Sequence, residues 1–139
     1  TKNVIAGCLQ HGVSRFIYVS STSIQFGFRD AFEIAENDRL PKSFACDYAK
    51  TKHAAEEAVR GAACDQGLNA FIVRARAVFG PGDQSLLPRL LSVYDQGRLR
   101  QIGDGTNITD LTYVDNLVYA IVLAIQLVDI IRSGVARSE

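Results

Sequence analysis

Two short apolar runs, rich in β-branched and aromatic residues, flank one long alanine-rich stretch. That order narrows the folds open to this chain more than any other feature. Arg15 to Ser20 (RFIYVS) and Ala70 to Arg74 (AFIVR) each read as a buried strand. Between them, Asp47 to Gln66 reads as a helix ended near Gly67, with Glu56 and Glu57 on one side. Its many alanines would let a neighbour pack closely. Strand, helix and strand in succession predict parallel strands joined by a right-handed crossover, the alternation of an open α/β sheet.

The rest of the chain extends the pattern. Val4, Ile5, Cys8 and Leu9 recur at helical spacing and stop at Gly12. Residues 28 to 46, with Pro41 as a breaker, predict a long loop. Gly80-Pro81-Gly82-Asp83 and Gly103-Asp104-Gly105 predict tight turns, and Leu86 to Tyr94 a short helix. Asp110 to Val114 is strand-like, and Asp115 to Ile131 reads as a helix that Asp115 could cap. The opening residues already read as the middle of a helix and no Met occurs anywhere. The 139 residues are therefore expected to be a piece of a longer protein.

Composition removes several classes of function. Fifteen basic residues balance fifteen acidic ones and are scattered along the chain, so nothing points to nucleic acid or an anionic surface. The longest apolar run, Leu117 to Ile131, is interrupted by Tyr119, Gln126 and Asp129 and is too short to span a bilayer. Three cysteines at wide spacing and two histidines offer no metal site, so no metal is expected. The thiols read as small apolar residues in a reduced compartment, which predicts a cytoplasmic protein.

The chemistry-bearing stretch is Tyr48-Ala49-Lys50-Thr51-Lys52. Tyr48 and Lys52 are four residues apart, so on a helix they share a face one turn apart. An ordinary phenol, with a pKa near ~10, is a poor acid or base at neutral pH, and a cation held beside it favours the phenolate. The first strand ends in three hydroxyls, Ser20-Ser21-Thr22. A hydroxyl donor, a tuned phenol and an ammonium are the parts needed to move a proton at a carbinol oxygen. Alone, the Tyr/Lys pair is also a common feature of solvated helix faces.

Four separated motifs stand in order. They are Gly12 to Thr22 followed by Phe26-Gly27; Tyr48 to Lys52; Arg74-Ala75-Arg76-Ala77-Val78-Phe79-Gly80-Pro81-Gly82; and Ile102-Gly103-Asp104-Gly105 followed by Asp110 to Asn116. Together they resemble the extended short-chain dehydrogenase/reductase family over essentially the whole chain. The resemblance implies the C-terminal part of a doubly wound parallel sheet, a Rossmann-type domain, with a nicotinamide cofactor across its carboxyl edge. Residues 1–80 would form the later half of the nucleotide-binding domain, and 81–139 the substrate side with a further helix. By position, Tyr48 would be the general acid/base. Lys52 would bind the nicotinamide ribose and act on Tyr48, and Thr22 would hydrogen-bond the reacting oxygen, with Ser21 in reserve. The backbone from Ala75 to Val78 would face the nicotinamide. The cofactor would be NAD or NADP, with NAD favoured, the substrate a small molecule and the assembly a homodimer.

The chain also departs from the family pattern. Ala75 stands where family members carry Pro, which loosens a loop but removes no reactive group. The Gly-rich dinucleotide loop is absent, and neither Gly80–Gly82 nor Gly103–Gly105 lies between a first strand and a helix N-terminus. Thr109 occupies the position where nucleotide-sugar enzymes place an Arg that clamps a diphosphate. The segment Gly105 to Asn116 looks more like the 3β-hydroxysteroid and sterol-4-carboxylate dehydrogenase branch, whose apolar alcohols need no such clamp. The resemblance thus implies NAD(P)-dependent oxidation of a 3β-hydroxysteroid or similar apolar secondary alcohol. The alternatives are a nucleotide-sugar epimerase or dehydratase, and a non-catalytic nucleotide-binding or scaffold protein. Lys50 reads as a solvated charge, His53 as a helix-surface histidine, Asp115 and Asn116 as caps, and Cys46 and Cys64 as buried or inert thiols.

Overall fold

The computed structural model describes residues 1–27, 32–101 and 103–135, with residues 128–135 by backbone alone. Positions 28–31 of the expected loop, Ile102 of its motif and residues 136–139 lie outside the described residues, as do the side chains of Asp129 and Ile131.

The chain runs α1 (Lys2–Gln10), β1 (Phe16–Ser21), a 3-10 turn (Thr22–Gln25), α2 (Asp47–Gln66), β2 (Ala70–Ala75), β3 (Val78–Phe79), α3 (Leu87–Asp95), β4 (Thr112–Tyr113) and α4 (Val114–Val135). β1 and β2 pair in parallel from Phe16 opposite Ala70 to Ser21 opposite Ala75, with α2 as the crossover. β3 and β4 form a second parallel pair, Val78 opposite Thr112 and Phe79 opposite Tyr113. This is the predicted α/β architecture.

The core lies where α1 and α2 meet the β1–β2 pair. Ile5, Val59, Ala62 and Leu68 are buried there, and Cys8, Leu9, Phe16, Tyr18 and Ile72 pack around them. The helical spacing of α1 thus buries Ile5 and sets Cys8 and Leu9 on the core, while Val4 stays exposed. α2 ends on Gly67 at φ 70°, where a left-handed residue is needed, and the Leu68 N–H closes onto the Ala62 carbonyl at 3.1 Å. That closure tucks Leu68 into the core. Ala49 and Ala62 are buried on α2, the close approach its composition predicts.

Some expectations change. The strands are half-buried rather than buried, Ser20 excepted. Among the described residues β1 and β2 pair only with each other, so each keeps an open edge. The strand expected from Asp110 shrinks to Thr112–Tyr113. α4 starts at Val114, so Asp115 lies inside its first turn, where a negative charge suits the helix dipole, rather than at the cap. Cys46 and Cys64 are exposed; only Cys8 packs on the core. His53 is half-buried, its ring against that of Phe44 at 5.0 Å between centroids. Glu56 is buried while its neighbour Glu57 is exposed.

Candidate active site

β1 ends at Ser21, and the chain at once tightens into the 3-10 turn. The Ser21 Oγ accepts the Ser23 N–H at 3.2 Å and so caps that turn. Ile24 is fully buried and pins it, and the turn packs against α2. Thr22 is left with its Oγ1 buried and without a hydrogen-bond partner among the described residues. Ala75 ends β2 directly beside Ser21. The hydroxyl segment and Ala75 therefore occupy the carboxyl edge of the parallel pair, where open α/β sheets take their ligands.

α2 brings Tyr48 and Lys52 to one face. The Lys52 Nζ lies 5.8 Å from the Tyr48 ring centroid and 5.3 Å from that of Tyr18 on β1. It donates to the Val19 carbonyl at 3.0 Å. An ammonium has three donors, so the strand bond fixes it and leaves others free. Tyr48 is 55 % exposed. Lys50 is exposed, as expected.

Thr22 opens onto a cleft of about 680 Å³, shared with Gln25, Phe26, Arg76, Ile108 and Asp110. Tyr48 and Lys52 do not line this cleft.

Two polar constellations escaped the sequence. The first continues the Tyr48–Lys52 stripe by one more turn. Glu56 receives a two-pronged bond from Arg74, Nε to Oε1 at 3.0 Å and Nη2 to Oε2 at 2.8 Å. Burial alone would push the Glu56 carboxyl up, but the Arg74 fork, with Ser20 and Arg60 nearby, holds it below its ordinary value. The same bond raises Arg74. The i+4 step from Lys52 to Glu56 was a usable signal; the partner on β2 was not visible locally.

The second brings a guanidinium from elsewhere in the chain to Thr109. Arg76, just beyond β2, donates from Nη2 to the Thr109 Oγ1 at 2.8 Å and stacks on Phe26 at 4.5 Å from the ring centroid. A cation thus reaches the position of Thr109 from a different strand end, which local comparison around residue 109 could not reveal. Behind it the backbone is tied down, for the Arg76 and Ala77 carbonyls share the Thr112 N–H at 3.1 and 3.3 Å.

The Gly80–Gly82 turn follows the third strand, β3, and precedes the helix α3, so it does not follow a first strand. It is not a phosphate loop. The Asp83 carboxylate already accepts the Ser85, Leu86 and Leu87 N–H groups, at 2.8, 3.0 and 2.8 Å. Gly80, at φ 145°, is required by packing, because a Cβ there would meet Val114 Cγ1 at 2.6 Å.

Parallel strands, a crossover helix and a polar carboxyl edge define the Rossmann-type class of nucleotide-binding folds. Within that class the chain belongs to the 3-beta hydroxysteroid dehydrogenase/isomerase family, which it matches over residues 1–135. It is 43 % identical over 128 residues to a 2-alkyl-3-oxoalkanoate reductase of Stenotrophomonas maltophilia, covering 91 % of this chain and 38 % of the relative. It is 34 % identical over 125 residues to a decarboxylating sterol-4-alpha-carboxylate 3-dehydrogenase of Schizosaccharomyces pombe, covering 89 % and 36 %. Its fold is similar to that of a double mutant of dTDP-glucose 4,6-dehydratase from Streptomyces venezuelae solved with NAD bound. That similarity has a TM-score of 0.73 at 25 % identity and covers 88 % of this chain and 39 % of the other. The chain thus spans less than half the length of each of these proteins.

Proposed function

We propose that this chain carries the proton-transfer machinery of an NAD(P)-dependent oxidoreductase acting on the CH–OH group of a 3β-hydroxysteroid or similar apolar secondary alcohol. One observation carries the reading. Lys52 is fixed by the Val19 carbonyl beside the Tyr48 ring, at the sheet edge where a nicotinamide would lie. The residues suit that end of the cofactor: a tethered ammonium, an unpartnered buried hydroxyl on Thr22, and backbone at Ala75. NAD is the favoured cofactor, supported by the similar dehydratase solved with NAD. In this reading residues 1–80 form the later half of the nucleotide-binding domain and also line the substrate cleft, to which residues 81–139 add Ile108 and Asp110. The two relatives' names describe carboxylic acids in which the acid group sits on the carbon next to the one that reacts. The substrate is read here as an alcohol of that kind. The free thiols support a cytoplasmic protein, and the exposed apolar residues of α3 support a homodimer.

A nicotinamide held at this edge would supply the acceptor for the hydride of the carbinol carbon. Tyr48 takes the hydroxyl proton at Oη. Lys52 stands beside the phenol and would present its remaining N–H groups to the ribose. Thr22 donates to the reacting oxygen; Ser21 is less suited, being engaged in capping its own turn.

Tyr48→Phe tests the assignment. It removes only the hydroxyl and should cost turnover ~10²–10⁴-fold with folding nearly intact. Wild-type turnover in the Phe variant, with chemistry rate-limiting, would reject Tyr48 as acid/base. A nucleotide-sugar epimerase or dehydratase is the second reading, favoured by the guanidinium of Arg76 at Thr109. Net NADH accumulates in the first reading and not in the second. A scaffold would show neither chemistry.

A further inference from the structure

We propose that Arg76 recognises a carboxylate on the substrate, next to the reacting alcohol, and so selects an acid over the corresponding neutral alcohol. The inference rests on the oxidoreductase reading and names its substrate class more closely.

The argument begins with what holds Arg76. Its partners are an aromatic face, Phe26, and a hydroxyl, Thr109. Both orient a guanidinium, and neither neutralises it. Among the described residues no carboxylate lies within ion-pair distance of it, although Glu33 and Asp110 line the same cleft. Arg74, two residues earlier, is by contrast fully engaged by Glu56. A guanidinium has five N–H donors, and Arg76 uses one of them here. The remainder of its planar fork suits a carboxylate, which it can bind with two parallel bonds.

Position supplies the rest. Thr22 and Arg76 open onto one cleft, whose walls also include Phe26, Phe32, Ile34 and Ile108. Once the buried Thr22 Oγ1 turns toward the cleft to hold a carbinol oxygen, an acid group on the adjacent carbon would lie in the same cleft as the fork. The apolar side chains would receive the hydrocarbon. A neutral sterol would leave the cation without a counter-charge.

The test uses a long-chain 2-alkyl-3-hydroxyalkanoate and its methyl ester, with NAD, on the wild-type protein, Arg76→Gln and Arg76→Lys. The wild type should favour the acid. Arg76→Gln should raise the acid's KM on the order of 10–100-fold, with kcat changed little and the ester unaffected. Arg76→Lys should recover part of the loss. Equal losses for acid and ester in Arg76→Gln would reduce Arg76 to a structural role and overturn the proposal. So would a wild type indifferent to the ester, a comparison that needs no variant to fold. A loss confined to a dTDP- or UDP-sugar would make phosphate the ligand and also overturn it. Calorimetry with the acid separates the two readings. Binding lost in Arg76→Gln without any oxidation by the wild type keeps Arg76 and rejects the oxidoreductase. Oxidation unaffected by the substitution does the reverse.

Discussion

Arg74 and Arg76 stand two residues apart and meet opposite electrostatic surroundings. Arg74 is a closed unit: both carboxylate oxygens of Glu56 accept from it, and its Nη1 reaches the Glu36 carbonyl at 3.1 Å. The Glu56 side chain is 1 % exposed and that of Arg74 11 %. Truncating Arg74 leaves the buried Glu56 carboxylate, among the described residues, only the longer ion pair to the half-exposed Arg60, at 3.6 Å. Arg74→Ala is therefore expected to cost about 3–5 kcal/mol in urea unfolding, and the apolar double variant Glu56→Leu/Arg74→Leu distinctly less. A single variant as stable as the wild type would mean that the pair is solvated. The pH dependence follows from the lowered Glu56 value. A carboxyl depressed on folding adds stability above its ordinary value of 4.5, and that contribution is lost as pH falls through the folded value. The wild type should thus weaken on acidification below about 4.5 more steeply than the double variant.

α2 acts as a ruler with three marks on one stripe. Tyr48 stands at the open end, Lys52 is tied to β1, and Glu56 is locked to β2. The packing that holds the crossover helix thereby also aims the phenol and the ammonium. α3 is held differently. It buries no side chain, and Asp83 collects its leading N–H groups. Those backbone bonds, strongest from Leu87, hold the Asp83 carboxyl down at about 2. Its capping contribution is present above its ordinary 3.8 and is lost as pH falls toward that lower value. Asp83→Ala should speed amide exchange at Ser85, Leu86 and Leu87 at neutral pH and leave β1 and β2 protected. Unchanged exchange at those amides would show that Asp83 is not the cap. The contrast explains what could be read in advance. α1, α2, β1 and β2 announce themselves through local period and breakers, as do Tyr48 and Lys52 through their i, i+4 spacing. β3 and β4 are two residues each and carry no period. The Glu56–Arg74 and Arg76–Thr109 contacts join distant segments and exist only once the strands are aligned.

On the scale of the whole molecule, the well-packed part is the β1–α2–β2 crossover with α1, while the later half leaves large apolar side chains in water. Leu90, Leu91 and Tyr94 on α3 are exposed, as are Val118, Tyr119 and Leu123 on α4. The parallel pair also keeps open edges among the described residues. Such a surface favours self-association. Weak cofactor binding by this chain is expected for a separate reason. Tight dinucleotide binding draws on free N–H groups at a helix N-terminus after a Gly-rich turn. The turn here with strand before and helix after is Gly80–Gly82, and its helix has those groups occupied by the Asp83 carboxylate, whose charge repels phosphate. On the proposed reading, Lys52, Tyr48, Thr22 and the edge at Ala75 would serve the nicotinamide side. The purified 139-residue chain is therefore expected to bind NAD or NADP weakly, above the micromolar range, and to sediment as more than a monomer. Calorimetry combined with sedimentation is the measurement. A monomer with low-micromolar affinity would mean that the ribose and nicotinamide contacts alone suffice, and that the pyrophosphate does not need a glycine-rich turn in this protein.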